Sequence, residues 1–313
     1  MRRLLLFLSL CGSAVLAYAT MPAAETSSAP AEVSEIAAGL FVRQGAHELM
    51  APRNGGAIAN IGFIVGDEAV AVIDSGGSRR DGQRLRAAIR AQTRLPIRYV
   101  INTHVHPDHI FGNSAFDTDE PEFVGHHNLA RAMGARGAHY LAANRRLLGD
   151  DAFAGTTIVP PTVAVEDSLT LDLGGRRLVL TAYPTAHTDA DLTVFDEASG
   201  ILWTGDLLFV DHLPVMDGSL KGWLRVMDIL AEVPAARAVP GHGPAAVSWP
   251  GALAPQRAYL TRLAEDLRAL IASGESMRLA VEQAAQSQRP HWALFDEFNA
   301  RNATAGFAEL EWE

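Results

Sequence analysis

Short apolar runs set the rhythm of this chain. Residues 39–43, 57–65 and 69–74 read as strands bounded by glycine and other turn formers. An amphipathic stretch over 79–93 predicts a helix, and the run 97–102 predicts a short buried strand. Further strands are predicted over 122–125, 169–173, 177–183, 192–195, 201–204 and 236–239, with a helix over 222–231. Residues 129–148 read as an inserted helix carrying Arg131, Arg136, Arg145 and Arg146, followed by a loop over 155–162 that borders the pocket. Helices over 255–272 and 276–287 close the pattern, and an aromatic tail with Phe295, Phe298, Phe307 and Trp312 reads as packing. Strands alternating with helices define an α/β protein, and no internal repeat is visible.

The first residues break this pattern. Arg2 and Arg3 precede an apolar run from Leu4 to Leu16, and Ala17-Tyr18-Ala19 offers a small-x-small cleavage site before Thr20. That is the layout of a secretory signal peptide over 1–19. The run is shorter than the about 20 residues that span a bilayer, so no stable membrane insertion is expected after cleavage and the mature protein is expected to be periplasmic or secreted. Residues 20–32, rich in Ala, Pro, Ser, Thr and Glu, read as a flexible lead-in. Cleavage would remove Cys11, the only cysteine, leaving neither a disulfide nor a thiolate ligand.

Composition changes the picture in one respect. The chain has 313 residues, 48% of them hydrophobic, enough for a large core. Its net charge of −10 becomes −12 once Arg2 and Arg3 are lost, which argues against nucleic acid or an anionic membrane as partner and in favour of a small-molecule substrate.

The chemistry concentrates directly after the strand 97–102. His104, His106, Asp108 and His109 fall within six consecutive positions. Neutral imidazoles with a carboxylate suit zinc best and tolerate iron or manganese, because borderline divalent ions accept the nitrogens while the carboxylate offsets charge. His104 and His106, two apart in an extended loop, can point the same way and clasp one ion. Asp108 and His109 open a helical turn, where neighbours project about 100° apart, so they would more easily reach a second ion.

Three distant residues stand in comparable places. His187 follows the strand 177–183 in a turn-rich segment, Asp206 follows Gly205 at the end of an apolar run, and His242 lies between Gly241 and Gly243 after another. Taken singly, each could equally be a structural residue. Taken together, at the ends of strands, they favour a shared site. Asp74, at the end of 69–74, reads either as a carboxylate that orients a ligand by hydrogen bonding or as a turn former. His47, His126, His127, His139, His212 and His291 lack metal-like company and read as ordinary polar residues.

On the His104-x-His106-x-Asp108-His109 motif with the distant His187, Asp206 and His242, the chain resembles the metallo-β-lactamase-fold hydrolase superfamily over residues 33–250. The resemblance implies a four-layer αββα sandwich over that span, with 251–313 as a helical extension packed on it. It implies that His104, His106 and His187 hold one metal, that Asp108, His109 and His242 hold another, and that Asp206 bridges two zinc ions. It also implies a metal-activated water as nucleophile, with Asp108 steering it or relaying a proton. The segment 205–223 and the closing Glu309-Leu-Glu-Trp-Glu313 are similar to exported zinc metallohydrolases linked to quinoprotein systems, sometimes called sulfur-oxidation-type H proteins. An aspartate at 206 is similar to thioester-cleaving members, so the expected reaction is hydrolysis of a thioester or related ester or amide. A lactam hydrolase, an iron-dependent persulfide-dioxygenase-like oxidoreductase and a non-catalytic zinc-binding periplasmic protein are the alternatives.

Overall fold

The computed structural model describes residues 29–313. The expected signal peptide and most of the lead-in lie outside them. Two mixed sheets form the centre of the molecule. The first holds seven strands in chain order: β1 (Ser34–Ala37), β2 (Leu40–Arg43), β3 (Ile61–Val65), β4 (Val70–Ile73), β5 (Ile97–Asn102), β6 (Glu122–His126) and β7 (Val163–Val165). It is antiparallel up to β4 and parallel from β4 to β7. The second sheet holds β8 (Ser168–Asp172), β9 (Arg177–Ala182), β10 (Leu192–Asp196), β11 (Ile201–Phe209), β12 (Arg237–His242) and β13 (Val247–Ser248), antiparallel except for the parallel pair of β11 with β12.

The described residues form the helices α1 (Arg79–Gln92), α2 (Pro107–Ile110), α3 (Leu129–Leu148), α4 (Leu220–Ala231), α5 (Leu253–Ala272), α6 (Met277–Gln283) and α7 (Phe295–Leu310). Core packing orders the layers. Leu40, Ile64, Ile73 and Ile101 of the first sheet meet Leu180, Val194 and Trp203 of the second in one buried cluster, so the sheets lie face to face. Leu85 and Ile89 of α1 cover the outer face of the first sheet with Phe63, Val72 and Val100. Trp223, Leu260, Leu263 and Phe307, from α4, α5 and α7, cover the outer face of the second with Leu202 and Leu208. Apolar residues on both faces of the central strands explain why those strands read as continuous hydrophobic runs. Among the described residues no helix is long and apolar enough to cross a membrane.

Several expectations need correction. Residues 57–60, expected as strand, lie in a turn-rich segment that precedes β3. The helix expected to run to residue 287 ends at Gln283, and a 3-10 turn over Gln286–His291 follows. The aromatic tail is the long helix α7. Most relevant to the site, the strand expected to stop at residue 204 continues to Phe209. Gly205 has a φ of +50° and the pairing of β11 with β12 slips there, so the strand kinks rather than ends and Asp206 is redirected within it. A Cβ on Gly205 would lie 2.5 Å from Thr103 Oγ1, which shows how closely the two sheets approach at this point.

Candidate metal centre

The sheets bring one end of β4, β5, β11 and β12 together, and the seven predicted donors meet there in two groups. His104, His106, His187 and Asp206 form one; Asp108, His109 and His242 form the other; within each group the donor atoms lie within 4.8 Å of one another. His106 is half-buried and the other six are buried, with Asp108 the most accessible of the six at the edge of an open cavity. Asp206 stands between the groups: its Oδ2 is 3.4 Å from His187 Nε2 and 3.4 Å from His242 Nε2, and its Oδ1 is 3.1 Å from His109 Nε2.

Which nitrogen each ring offers follows from the partner of the other nitrogen. His109 Nδ1 is 2.8 Å from Asp74 Oδ2, so a proton on Nδ1 is held there and Nε2 faces the cluster. Thr103 donates its hydroxyl to the same Asp74 oxygen at 2.8 Å and lies 3.1 Å from His104 Nδ1, so Asp74 orients His104 through the hydroxyl. His187 Nδ1 is 2.6 Å from the Val215 carbonyl, and His106 Nε2 is 3.2 Å from Asp217 Oδ2. Asp74 has a φ of +55°, a strained conformation for a residue other than glycine, which fits a residue held in place for its hydrogen bonds.

These contacts test whether the residues fit a metal. His187 Nε2 and His106 Nδ1 face each other at 2.9 Å, and in neutral rings both atoms are bare acceptors because the remote nitrogens carry the protons. Burial holds the His187 imidazole down to about 3, so it stays neutral. A metal ion between them would satisfy both lone pairs at once. His104 Nε2, His109 Nε2 and Asp206 Oδ1 are also buried without a hydrogen-bond partner, a costly arrangement that a shared ion relieves. The donor set, five imidazoles and two carboxylates with no thiolate, fits divalent ions of the zinc, iron and manganese type.

Without an ion, protons take part of that role. Burial disfavours charge on His109 and His242, yet Asp206 with Asp108, and Asp74 in the case of His109, overcome it; His109 is raised well above its ordinary value and His242 to about 9. Burial raises the carboxyls of Asp206 and Asp108, but the histidine charges around them outweigh it, taking Asp206 well down and Asp108 to about 2. A prediction follows from the sign. His242 titrates near 6.5 in an unfolded chain and near 9 in the fold, so its contribution to stability is complete below about 6.5 and is lost as pH rises through about 9. The melting temperature of chelator-stripped protein should therefore fall between these values. Metal-loaded protein should not follow, because deprotonated ligands bind metal more tightly. A flat melting temperature for the stripped protein would rule out this charge arrangement.

The structure also exposes residues that sequence reading overlooked. Asp217 receives Arg301 Nη2 of α7 at 3.0 Å on the oxygen not facing His106. The loop that carries Val215 and Asp217 is held by α7, where Asn302 donates to the Pro214 carbonyl at 2.6 Å and accepts from the Met216 amide at 2.9 Å. Glu309 of the same helix accepts from the Leu220 amide and the Ser219 hydroxyl, each at 2.7 Å. Two of the candidate ligand histidines, His106 and His187, thus depend on a loop braced by the C-terminal helix. Asp217→Ala should weaken metal binding roughly 10- to 100-fold, as loss of such supporting contacts typically does. Competition with a fluorescent chelator would measure it, and unchanged affinity would remove Asp217 from the design. Tyr140 and His212 join the wall of a cavity of about 380 Å³ that opens over His106, Asp108, Asp206 and His242. His212, expected to be ordinary, lies beside His242 with ring centres 5.0 Å apart and the rings tilted by 32°. No sequence spacing marks these residues; only the tertiary approach does.

Two facing mixed sheets flanked by helices, with a His/Asp cluster fit for metal at shared strand ends, define an α/β fold of the αββα kind. The chain belongs to the metallo-beta-lactamase superfamily, whose sequence model matches residues 54–242. Among solved structures it is similar to a metallo-beta-lactamase from Pontibacter korlensis, with 20% identity and a TM-score of 0.60 over 74% of this chain and 98% of that one. It is likewise similar to a metallo-beta-lactamase from Hirschia baltica, at 19% identity and a TM-score of 0.58 over 74% and 98%. The stereoselective inverting sec-alkylsulfatase from a Pseudomonas species matches 89% of this chain and 50% of its own, at 16% identity and a TM-score of 0.68. No curated protein matches the sequence. At these identities the neighbours speak to the fold.

Proposed function

We propose that this protein is a metal-dependent hydrolase of a small-molecule acyl bond, a thioester or a related ester or amide, loaded with two zinc ions. The observation that carries the reading is the convergence of seven donors, in two groups that meet at Asp206, beneath an open cavity lined by four of them, His106, Asp108, Asp206 and His242. A closed structural zinc site would use four donors and leave no room for water or substrate. His104, His106, His187 and Asp206 would hold one ion, and Asp108, His109 and His242 the other. Bound there, such ions supply Lewis acidity that polarises a carbonyl and makes water acidic enough to attack near neutral pH.

The chain's own groups do the rest. Asp108 stays anionic at the cavity edge, where it can orient a water and accept its proton. Tyr140, whose hydroxyl is pushed up to about 12 mainly by burial, stays a donor at neutral pH and can hold a substrate oxygen. Asp74 and Asp217 keep the imidazoles aimed. Within the superfamily we place the chain nearest the exported zinc metallohydrolases associated with quinoprotein systems, acting in the periplasm or outside the cell after loss of its leader.

A sulfate ester is the second reading. The match to the sec-alkylsulfatase is too long to stop before residue 251, so it takes in the C-terminal helices as well as the sheets. Both readings are tested by offering metal-loaded protein a thioester, a lactam, a lactone, a phosphodiester and an alkyl sulfate. Fastest turnover of the thioester, abolished by chelator and restored by zinc, is expected. Fastest release of sulfate would replace the first reading with the second, and a single bound iron with oxygen uptake would overturn both.

A further inference from the structure

The cavity over the donors carries information about what it accepts. Apart from the metal-centre residues, its wall is mainly Leu49, Met50, Ile58, Leu147, Val215 and Phe298. Leu49 and Leu147 are among the few large apolar side chains exposed among the described residues, at 45% and 48%. A single surface leucine is ordinary. Here, however, one comes from the segment between β2 and β3 and the other from the far end of α3, and both converge on one rim with Phe298 of α7. Three separate parts of the chain thus present apolar surface to the same opening. Its volume of about 380 Å³ lies within the range of small-molecule sites.

Apart from Tyr140, whose hydroxyl is reserved for the reacting end, the polar side chains that join this wall outside the donor set already have partners. Arg301 is tied to Asp217, and the buried His212 spends its Nδ1 on the Leu213 carbonyl at 2.7 Å. A strongly hydrated group placed against the leucines would lose water without gaining a partner, whereas an alkyl or aryl chain would lose only unfavourable contact with water.

Resting on the hydrolase reading above, we propose that the substrate carries an apolar chain of several carbons that packs against Leu49, Met50, Leu147 and Phe298 while its scissile bond reaches the donors. The chain rather than a polar headgroup sets the affinity.

Calorimetric titration of the metal-loaded protein with S-alkyl N-acetylcysteamine thioethers, ethyl through decyl and below their micellar concentrations, tests this. These compounds carry a thioether where the substrate would carry its thioester, and recovery of their acetamide intact after the titration shows that the heat reports binding alone. The dissociation constant should fall roughly three- to fourfold per added methylene until the cavity is filled. In the double variant Leu49→Ser with Leu147→Ser, both at half-exposed positions that the fold does not need, the gain per methylene should shrink while metal content stays the same. An affinity that ignores chain length in the wild type overturns the proposal, as does a variant with the same slope. So does sedimentation showing that the two leucines join copies of the chain while no thioether binds. The outcomes also separate the two claims: a flat series with thioester turnover removes the apolar chain alone, and a steep series without turnover of any thioester removes the acyl reading alone.

Discussion

Asp206→Asn should lower the turnover of the metal-loaded protein by roughly 10²- to 10³-fold, the scale on which loss of one preorganised electrostatic partner acts in an active site. The substitution keeps the size and shape of the side chain. What it removes is the negative charge between the two donor groups, 3.1 Å from His109 Nε2 and 3.4 Å from both His187 Nε2 and His242 Nε2. The fold should survive, since the two sheets are held by the cluster around Trp203, Ile64 and Leu180. Metal analysis should show reduced loading, and circular dichroism should show an unchanged backbone. The stripped variant should also lose much of the alkaline fall in stability, because Asp206 is the leading favourable partner of both raised histidines. Full turnover in this variant would refute the bridging position of Asp206.

Gly241→Ala should do comparable damage through space alone. An alanine in place of glycine usually stabilises by about 0.4–1 kcal/mol where the backbone permits it, by narrowing the unfolded ensemble. Gly241 is not among the residues with positive φ, so its backbone would permit it. Its added Cβ, however, would lie 1.9 Å from Asp206 Oδ1 and 2.8 Å from the Asp206 amide nitrogen. Either β12 or the Asp206 carboxylate must move, at the cost of about 1–3 kcal/mol typical of overpacking. The sign of the stability change therefore reverses, and the donor that moves is the shared one. We expect a lower melting temperature and loss of metal in the same variant. A stabilised Gly241→Ala protein with full metal content would mean that the carboxylate lies elsewhere.

The two effects show why parts of the site were readable from the amino acids and others were not. His104, His106, Asp108 and His109 announce themselves because four donors crowd into six positions, a density that an ordinary polar loop seldom reaches. His187, Asp206 and His242 were visible only as polar residues after apolar runs, a weaker signal that the resemblance strengthened. The continuation of β11 past Asp206 was hidden, because a glycine at a strand's end and a glycine at a kink look alike in one dimension. Asp217 and Arg301 meet across 84 positions, and nothing local to either marks that meeting. Helix α7 was read only as an aromatic tail because Asn299 and Asn302 occupy buried positions on its inner face and interrupt the apolar period. They are buried with partners, Tyr259 and the loop carbonyl and amide among them, which a periodicity cannot register.

The bracing of the His106 and His187 supports by Asn302 and Glu309 has a consequence for how the protein matures. On the proposed reading, every candidate ligand has been synthesised once the ribosome passes His242, but the clamp that aims two of them comes from a helix that begins only at Phe295. A nascent or truncated polypeptide therefore owns all the ligands without the geometry to use them. Capture of the proposed ions would then fall to the finished chain, and the metal supply where it completes its folding would decide what is loaded.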